Sequence, residues 1–101
     1  MAKVSSIEKN NRRIKMSSRN FKKREELKAI VKDSTKSVDE QILAQYMLQS
    51  LPRDESPCRV RNRCNHCGRP RGVYRFLGLC RCCIRVYMSK GWIPGFTMSS
   101  W

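Results

Sequence analysis

The chain has 101 residues, of which 40% are hydrophobic and 30% are charged, and its formal net charge is +14. This size and composition exclude a large apolar core, and no apolar run approaches the roughly 20 residues that a membrane-spanning helix needs. Residues 1–32 have eleven Lys and Arg against three Glu, residues 33–56 have two against five acids, and residues 57–101 have nine against none. Such dense positive charge repels itself, and eight of the last nine cations are arginines, which match phosphates and stack on bases. The sequence therefore predicts a nucleic-acid partner.

Residues 3–32 form the first predicted helical stretch, a basic arm with few apolar residues. Leu27, Ile30 and Val31 have helical spacing and are expected to pack inward. The first 24 residues have a composition that mitochondrial presequences and RNA-binding arms share, but Glu8 and the dense lysine clusters favour the arm. No secretory signal is visible, so the cysteines downstream are expected to bind metal rather than to form disulfides.

Residues 37–50 form the second predicted helix. Ser37 lies three residues before Glu40, the spacing of a capping box, and Pro52 ends the helix. A stripe of four apolar side chains at i, i+1, i+4 and i+5 is expected to pack against residues 21–32 as a helical hairpin. The stripe consists of Ile42, Leu43, Tyr46 and Met47. The arm and the hairpin make up the first predicted domain, residues 1–56.

Residues 51–63 are predicted to be a linker with two prolines. Its three alternating arginines would share one face of an extended chain, a face suited to a line of phosphates. They are Arg59, Arg61 and Arg63. Further on, a short helix is predicted to begin near Cys80 and to continue to residue 90, with Gly91 placed to cap it. Residues 57–101 form the second predicted domain, an arginine-rich module that contacts RNA.

The cysteines form two C-x2-C pairs separated by twelve residues, a spacing that strongly indicates a tetrahedral four-thiolate zinc site. The predicted ligands are Cys64, Cys67, Cys80 and Cys83. Cys82 competes with Cys83 for the fourth place, but it lies about 200° from Cys80 around a helix, away from the metal. Cys58 and Cys82 are therefore interpreted as free thiols. His66 is a candidate substitute ligand, but it breaks the paired spacing, so a surface or RNA-facing position is expected.

Four protein ligands leave no position for water, so the sequence predicts one structural zinc ion and no hydrolytic chemistry. Zinc supplies folding free energy on the order of 10–16 kcal/mol in small finger peptides, which would compensate for the small core. An iron–sulfur cluster, which is less favoured than zinc, and a redox-active dithiol are alternatives. The dithiol is less favoured, because no βαβ pattern typical of thioredoxin-like enzymes is visible.

Basic side chains mounted on or near a rigid zinc module are candidate RNA contacts, because the module keeps them in a defined geometry. The predicted RNA-binding residues are Arg12, Arg13, Arg19, Lys22, Lys23, Arg53, Arg59, Arg61, Asn62, Arg63, Arg69, Arg71, Arg75, Arg81, Arg85, Lys90 and Trp101. Tyr74, Phe76, Trp92 and Trp101 are candidate base-stacking side chains. Core packing is nevertheless the expected fate of Tyr74 and Phe76.

Motifs along the whole chain resemble one family. They are "LPRDESPCRVRNRC", "GRPRGVYRFLGLCR" and "GWIPGFTMSSW", together with the start "MAK", the segment "KKREELKAI" and the terminal "SSW". The chain is similar in these motifs to the small-subunit ribosomal protein family fourteen of bacteria and organelles. That family has a short branch that binds zinc and a long branch that often lacks the cysteines. This chain combines the long middle segment with all four cysteines, so the zinc prediction depends on their spacing.

The resemblance implies a non-enzymatic protein in the head of the small ribosomal subunit. It implies ribosomal RNA near the decoding region and neighbouring head proteins as partners, with no membrane and no small-molecule substrate. The implied location is the cytoplasmic ribosome, with a mitochondrial or plastid ribosome as the alternative.

The predicted fold is mainly α and elongated, with a basic helical arm, a helical hairpin and a small zinc-finger-like module that has extended, loop-rich segments. Two other functions fit parts of the chain. The first is a zinc-ribbon DNA-binding or transcription factor, although residues 81–90 offer few base-reading side chains besides arginine. The second is a thiol redox enzyme, which would need free thiols of low pKa.

Overall fold

The structure is a computed structural model and describes residues 2–99. In chain order it has α1 (Val4–Arg19), α2 (Phe21–Lys32), α3 (Val38–Ser50), two 3-10 turns (Arg53–Glu55 and Pro57–Arg59), β1 (Val73–Tyr74), β2 (Leu79–Cys80) and α4 (Arg81–Ser89). The two strands form a single antiparallel pair. The described part of the chain is thus mainly helical with little strand, as the sequence predicts.

The described chain divides into two compact units. The first, Lys9–Val60, contains most of α1, all of α2 and α3, and both 3-10 turns. The second joins residues 2–8 to residues 61–99 and contains the strand pair and α4. The division of the chain into domains 1–56 and 57–101 stays a prediction.

In the first unit, α2 and α3 pack against each other, which confirms the predicted hairpin. Its most buried side chains are Leu27 of α2 and Ala44 of α3, which are 7% and 4% exposed. Ile30 and Val31 are half-buried beside Leu27, so the inward face of α2 is the predicted one.

The connection between α2 and α3 is held by side-chain hydrogen bonds. Oδ1 of Asp33 accepts bonds from the hydroxyl and the backbone N–H of Thr35, at 2.7 and 3.0 Å, and these bonds lower the pKa of the carboxyl. Nε2 of Gln41 donates to the Asp33 carbonyl. The Ser37 hydroxyl accepts from the backbone N–H of Glu40 at 3.4 Å, so the predicted N-cap of α3 is confirmed.

The prediction that the apolar stripe of α3 forms the hairpin core is wrong. The side chains of Ile42, Leu43, Tyr46 and Met47 are 44%, 63%, 66% and 47% exposed. α3 has a second, narrower apolar side, made by the buried Ala44 and the half-buried Leu48. These two apolar sides point in different directions around the helix, and only one of them can face α2. The small Ala44 lets the two backbones approach closely, so the side with the larger residues is left outside.

The single helical stretch expected over residues 3–32 is interrupted at Asn20. The Asn20 backbone leaves the helical conformation at φ −108° and ψ 16°. Its side-chain amide donates to Oε1 of Glu55 at 2.6 Å, and Glu55 is 7% exposed. Nη2 of Arg24 donates to the Pro52 carbonyl at 3.4 Å. The segment after α3 is therefore tied to the junction between α1 and α2.

Residues 53–59 form two 3-10 turns rather than an extended linker. Asp54 bridges two arginines, with its Oδ1 at 3.4 Å from Nε of Arg13 and at 2.7 Å from Nη1 of Arg59. Because Arg59 lies in a turn, the expectation that it shares one extended face with Arg61 and Arg63 is wrong.

In the second unit, β1 and β2 pair Val73 with Cys80 and Tyr74 with Leu79. Helix α4 follows β2 directly, and Gly91 lies just past its end in the left-handed conformation, φ +71°. The backbone N–H of Gly91 donates to the Met88 carbonyl, and that of Trp92 donates to the Tyr87 carbonyl, both at 3.0 Å. This is a Schellman cap, and the contact between the Tyr87 and Trp92 rings at 5.3 Å completes it. The predicted helix and its glycine cap are confirmed.

Candidate metal centre and nucleic-acid interface

Two short structural elements bring the paired cysteines together. Cys64 and Cys67 lie in a tight turn, in which the N–H of Gly68 donates to the Cys64 carbonyl at 3.0 Å. Gly68 has φ +76°, a conformation that glycine adopts without strain. Cys80 ends β2 and is the N-cap residue of α4, and Cys83 lies in the first turn of that helix.

The four sulfurs form one cluster. The Sγ atoms of Cys64, Cys67, Cys80 and Cys83 all lie within 4.8 Å of one another. Those of Cys67 and Cys80 are 3.5 Å apart. A tetrahedral zinc site with Zn–S bonds of about 2.3 Å separates its sulfurs by about 3.8 Å. The donor set and its spacing therefore fit a zinc ion with four protein ligands.

The thiols of the cluster do not share one pKa. Burial opposes ionisation of Cys64, but backbone N–H groups, including that of Cys67, outweigh it and lower its pKa to about 6. At Cys83, burial raises the pKa of the thiol, and the neighbouring cysteines add to this effect. The cluster thus favours a thiolate at Cys64 and disfavours one at Cys83. A divalent cation among the sulfurs would remove that opposition.

The remaining cysteines and the histidine lie outside the cluster. Cys82 is exposed, and its Sγ accepts a hydrogen bond from Nη1 of Arg69 at 3.1 Å. Cys58 is also exposed and belongs to the other unit. His66 is exposed, with its ring 5.4 Å from the Tyr87 ring in an edge-on contact. The geometry thus brings together the four cysteines that the spacing singles out and leaves these three residues apart.

Two of the predicted RNA-binding arginines contact the backbone of the second unit. Nη1 of Arg63 donates to the Gly68 carbonyl at 2.9 Å, and Nε of Arg61 donates to the Pro70 carbonyl at 3.0 Å. Both bonds tie the residues before Cys64 to the turn after Cys67. Sequence reasoning missed this structural role, because alternation in a linker does not indicate which carbonyls lie nearby.

The other basic candidates lie mostly at the surface. The exposed ones are Arg12, Arg19, Lys22, Lys23, Arg53, Arg59, Arg71, Arg75, Arg81, Arg85 and Lys90, and Asn62 is exposed as well. Arg13 and Arg69 are half-buried, and Trp101 lies outside the described residues. In the first unit, several of these cations line a recess of about 420 Å³. Its basic side chains are Lys9, Arg12, Arg13, Arg53 and Arg59. Lys9 was not among the predicted residues, because a lone lysine on a basic helix has no distinguishing signal.

The aromatic side chains of the second unit are more exposed than expected. Tyr74 and Phe76 are 51% and 72% exposed, so the expectation that they pack in the core is wrong. Phe76 stacks on Phe96 with ring centroids 6.1 Å apart. Both line an open groove of about 760 Å³, together with Arg81 and Arg85. Sequence reasoning missed Phe96, which only the turn at residues 93–95 brings to this groove. Exposed aromatic and arginine side chains are the groups on which unpaired bases stack.

No helix among residues 2–99 is both long enough and apolar enough to cross a membrane.

The sequence model of the family described as ribosomal protein S14p/S29e matches residues 47–100. A small ribosomal subunit protein uS14 from Pelagibacter ubique is 52% identical over 101 residues, which cover all of both chains. The proteins of the same name from a Chelativorans species and from Wolbachia pipientis of Culex pipiens are 52% and 50% identical, again over the full length of both chains.

Proposed function

This chain belongs to the ribosomal protein S14p/S29e family and is a non-enzymatic structural constituent of the small ribosomal subunit, and on that premise we propose how it acts there. It binds ribosomal RNA in the head of the subunit, supports assembly of the head, and stabilises the region around the decoding site during translation. The observation that carries this proposal is the position of a closed four-cysteine cluster within residues 57–101, which have nine cations and no acid.

We assign the RNA contacts to the exposed basic and aromatic side chains of both units. Arginines on α4 and around the strand pair neutralise phosphates, and the Phe76–Phe96 groove accepts unpaired bases. The recess that contains Arg12 and Arg53 gives the first unit a second place for phosphate. Arg61 and Arg63 act mainly by stabilising the turn that carries Cys64 and Cys67, because their guanidinium groups donate to the backbone carbonyls of Pro70 and Gly68.

The metal in this proposal is one structural zinc ion held by Cys64, Cys67, Cys80 and Cys83. When bound, zinc would link the turn at Cys64 to the start of α4 through four Zn–S bonds and leave no coordination position for water. The chain's own residues position the ligands. Gly68 permits the turn, and the N-cap geometry at Cys80 aims its sulfur at the first turn of α4. A folded unit with few buried apolar residues is thereby stabilised.

The compartment and the protein neighbours belong to the same proposal. The chain works on the ribosome, and we place it on cytoplasmic ribosomes in contact with other head proteins. Glu8 and the lysine cluster at Lys22 and Lys23 support an RNA-binding arm over an organelle-targeting segment. Fractionation of cells that express a tagged chain distinguishes the cytoplasmic ribosome from an organellar one.

Sedimentation of the tagged full chain tests the function. We expect it to sediment with small subunits after treatment with deoxyribonuclease and to be released by ribonuclease. For the free chain, the affinity for head-domain RNA should fall with salt, with a log–log slope of roughly −0.7 to −0.9 for each phosphate neutralised. A chain that follows DNA rather than the subunit would instead be a DNA-binding factor. Salt-independent RNA binding would contradict the electrostatic mechanism.

A further inference from the structure

We propose that the outer face of α3 is a docking surface for another protein of the small subunit, one with an apolar patch rimmed by Lys or Arg side chains. This outer α3 face consists of Ile42, Leu43, Tyr46 and Met47. The inference rests on the proposed function, because it takes the chain to be assembled in the small subunit. It assigns to this helix a role distinct from RNA binding.

The outer α3 face is continuous and unpartnered within the described chain. Its members are spaced at i, i+1, i+4 and i+5, which places them side by side on one surface of the helix. They are between 44% and 66% exposed, while the opposite side of α3 is covered by α2. Single exposed apolar residues are ordinary, but a contiguous patch on a helix commonly marks an interface with another macromolecule.

Charge identifies the kind of partner. α3 contains Asp39 and Glu40 in its first turn and no Lys or Arg, and residues 33–56 have two basic residues against five acidic ones. Asp39 lies three and four residues before Ile42 and Leu43, so it extends the same stripe. The carboxylate repels phosphate, which disfavours an RNA backbone against this face. A protein surface with basic side chains at its rim complements both the apolar stripe and the acidic end.

A second copy of this chain fits the face less well. Two chains with a net charge of +14 each repel one another. Two outer α3 faces would also offer only carboxylates at their rims, so neither would supply the missing cation. The occupant is therefore a different protein, and within the small subunit the proposed head neighbours are the available class.

A photo-crosslinking experiment on assembled subunits tests the inference. The full chain carries p-benzoylphenylalanine at Leu43, and a matched chain carries it at Gln45, which is also exposed but lies about 200° away around α3. After illumination of purified small subunits, we expect position 43 to give a protein adduct that survives ribonuclease. Position 45 should give at least roughly tenfold less of that adduct, because interface contacts are local. A cross-link to RNA or to a second copy, or no protein cross-link at position 43, overturns the proposal.

Charge variants give an independent readout. Leu43→Glu places an acid on the outer α3 face, and Gln45→Glu adds the same charge elsewhere on the helix. Both side chains are exposed, so helical content should match that of the unmodified chain, and affinity for head-domain RNA should stay within about twofold. Retention of Leu43→Glu in washed subunits should fall roughly tenfold or more, as expected for a disrupted interface anchor. If washed subunits retain the two variants equally, the proposal is wrong.

These outcomes separate the two levels of inference. If the unmodified chain is missing from purified small subunits, the proposed function fails. If it is present but Leu43→Glu behaves like Gln45→Glu, the function stands and only the docking surface is wrong.

Discussion

The side chain of Ile7 lies directly over Gly68. A Cβ added to Gly68 would stand 2.6 Å from Cδ1 of Ile7 and 2.9 Å from its Cγ1. Gly68 follows the turn at Cys64 and Cys67 and has φ +76°, so both its backbone conformation and its surroundings require the absence of a side chain. The first turn of α1 is thereby packed against the turn at Cys64 and Cys67.

Gly68→Ala should destabilise the second unit. An alanine in the left-handed region costs roughly 1–3 kcal/mol, and the overlap with Ile7 adds to that cost. Gly95→Ala is the matched control, because Gly95 has φ +78° but nothing within 4 Å of its added Cβ. Denaturant unfolding of the zinc-loaded protein, followed by tryptophan fluorescence, measures both. The double variant Ile7→Ala/Gly68→Ala should lose less than the sum of its parts, and equal losses for Gly68→Ala and Gly95→Ala would mean that Ile7 exerts no steric effect.

Removal of individual cysteines should divide them into two groups. Cys64→Ser and Cys83→Ser should lose the single zinc ion and much of the folded second unit, because each leaves three thiolates. Cys82→Ser and Cys58→Ser should keep one zinc per chain, since both side chains are exposed and lie outside the cluster. Metal analysis of the purified proteins, with thiol titration before and after chelation, gives the stoichiometry. Loss of zinc in Cys82→Ser would overturn the ligand assignment, and reactive thiols without metal release would favour a redox function.

Two arginines of the second unit should have different roles, Arg63 in stability and Arg71 in RNA binding. Arg63→Gln should lower the stability of the zinc-loaded unit by about 1–3 kcal/mol, since it removes the bond to the Gly68 carbonyl. Arg71→Gln should leave stability unchanged but weaken RNA binding, with the log–log salt slope reduced by about 0.7–0.9. Lys36→Gln removes the same charge from the acidic segment and should leave the slope as it is. A slope that falls equally in Arg71→Gln and Lys36→Gln would show that only net charge matters.

Glu55→Ala should destabilise the first unit. Glu55 is 7% exposed, and its Oε1 accepts the Asn20 amide at 2.6 Å, so truncation leaves a donor unpaired at the junction between α1 and α2. The expected loss is about 1–3 kcal/mol in unfolding followed by circular dichroism at helical wavelengths. Glu26→Ala, which removes an exposed carboxylate from α2, is the control. A loss no larger than that of the control would mean that the hydrogen bond contributes little.

Features set by neighbouring residues could be predicted from the sequence. The cap at Ser37, the end of α3 before Pro52 and the glycine cap of α4 each depend on a few consecutive residues. The cysteine cluster belongs to this class as well. One short pair lies in a tight turn and the other at the start of α4, and helical periodicity separates Cys82 from Cys83 without reference to the rest of the fold.

The tertiary structure decided which side chains are buried and which groups form hydrogen bonds, and no local sequence pattern contains this information. α3 has two apolar sides, and periodicity does not show which one α2 covers; the small Ala44 permits the closer approach, and the larger residues remain outside. Phe76 has the composition of a core residue, but a strand pair of two residues each leaves no second layer to bury it. The hydrogen bond from Arg63 to the Gly68 carbonyl appears only once the fold places the two groups side by side, and the RNA contact of Arg63 stays a prediction. By itself, the sequence determined which four cysteines cluster, the caps of α3 and α4 and the basic character of the chain, because these depend on local geometry and composition. Burial and hydrogen-bond partners depend on long-range packing, and only the folded chain could assign them.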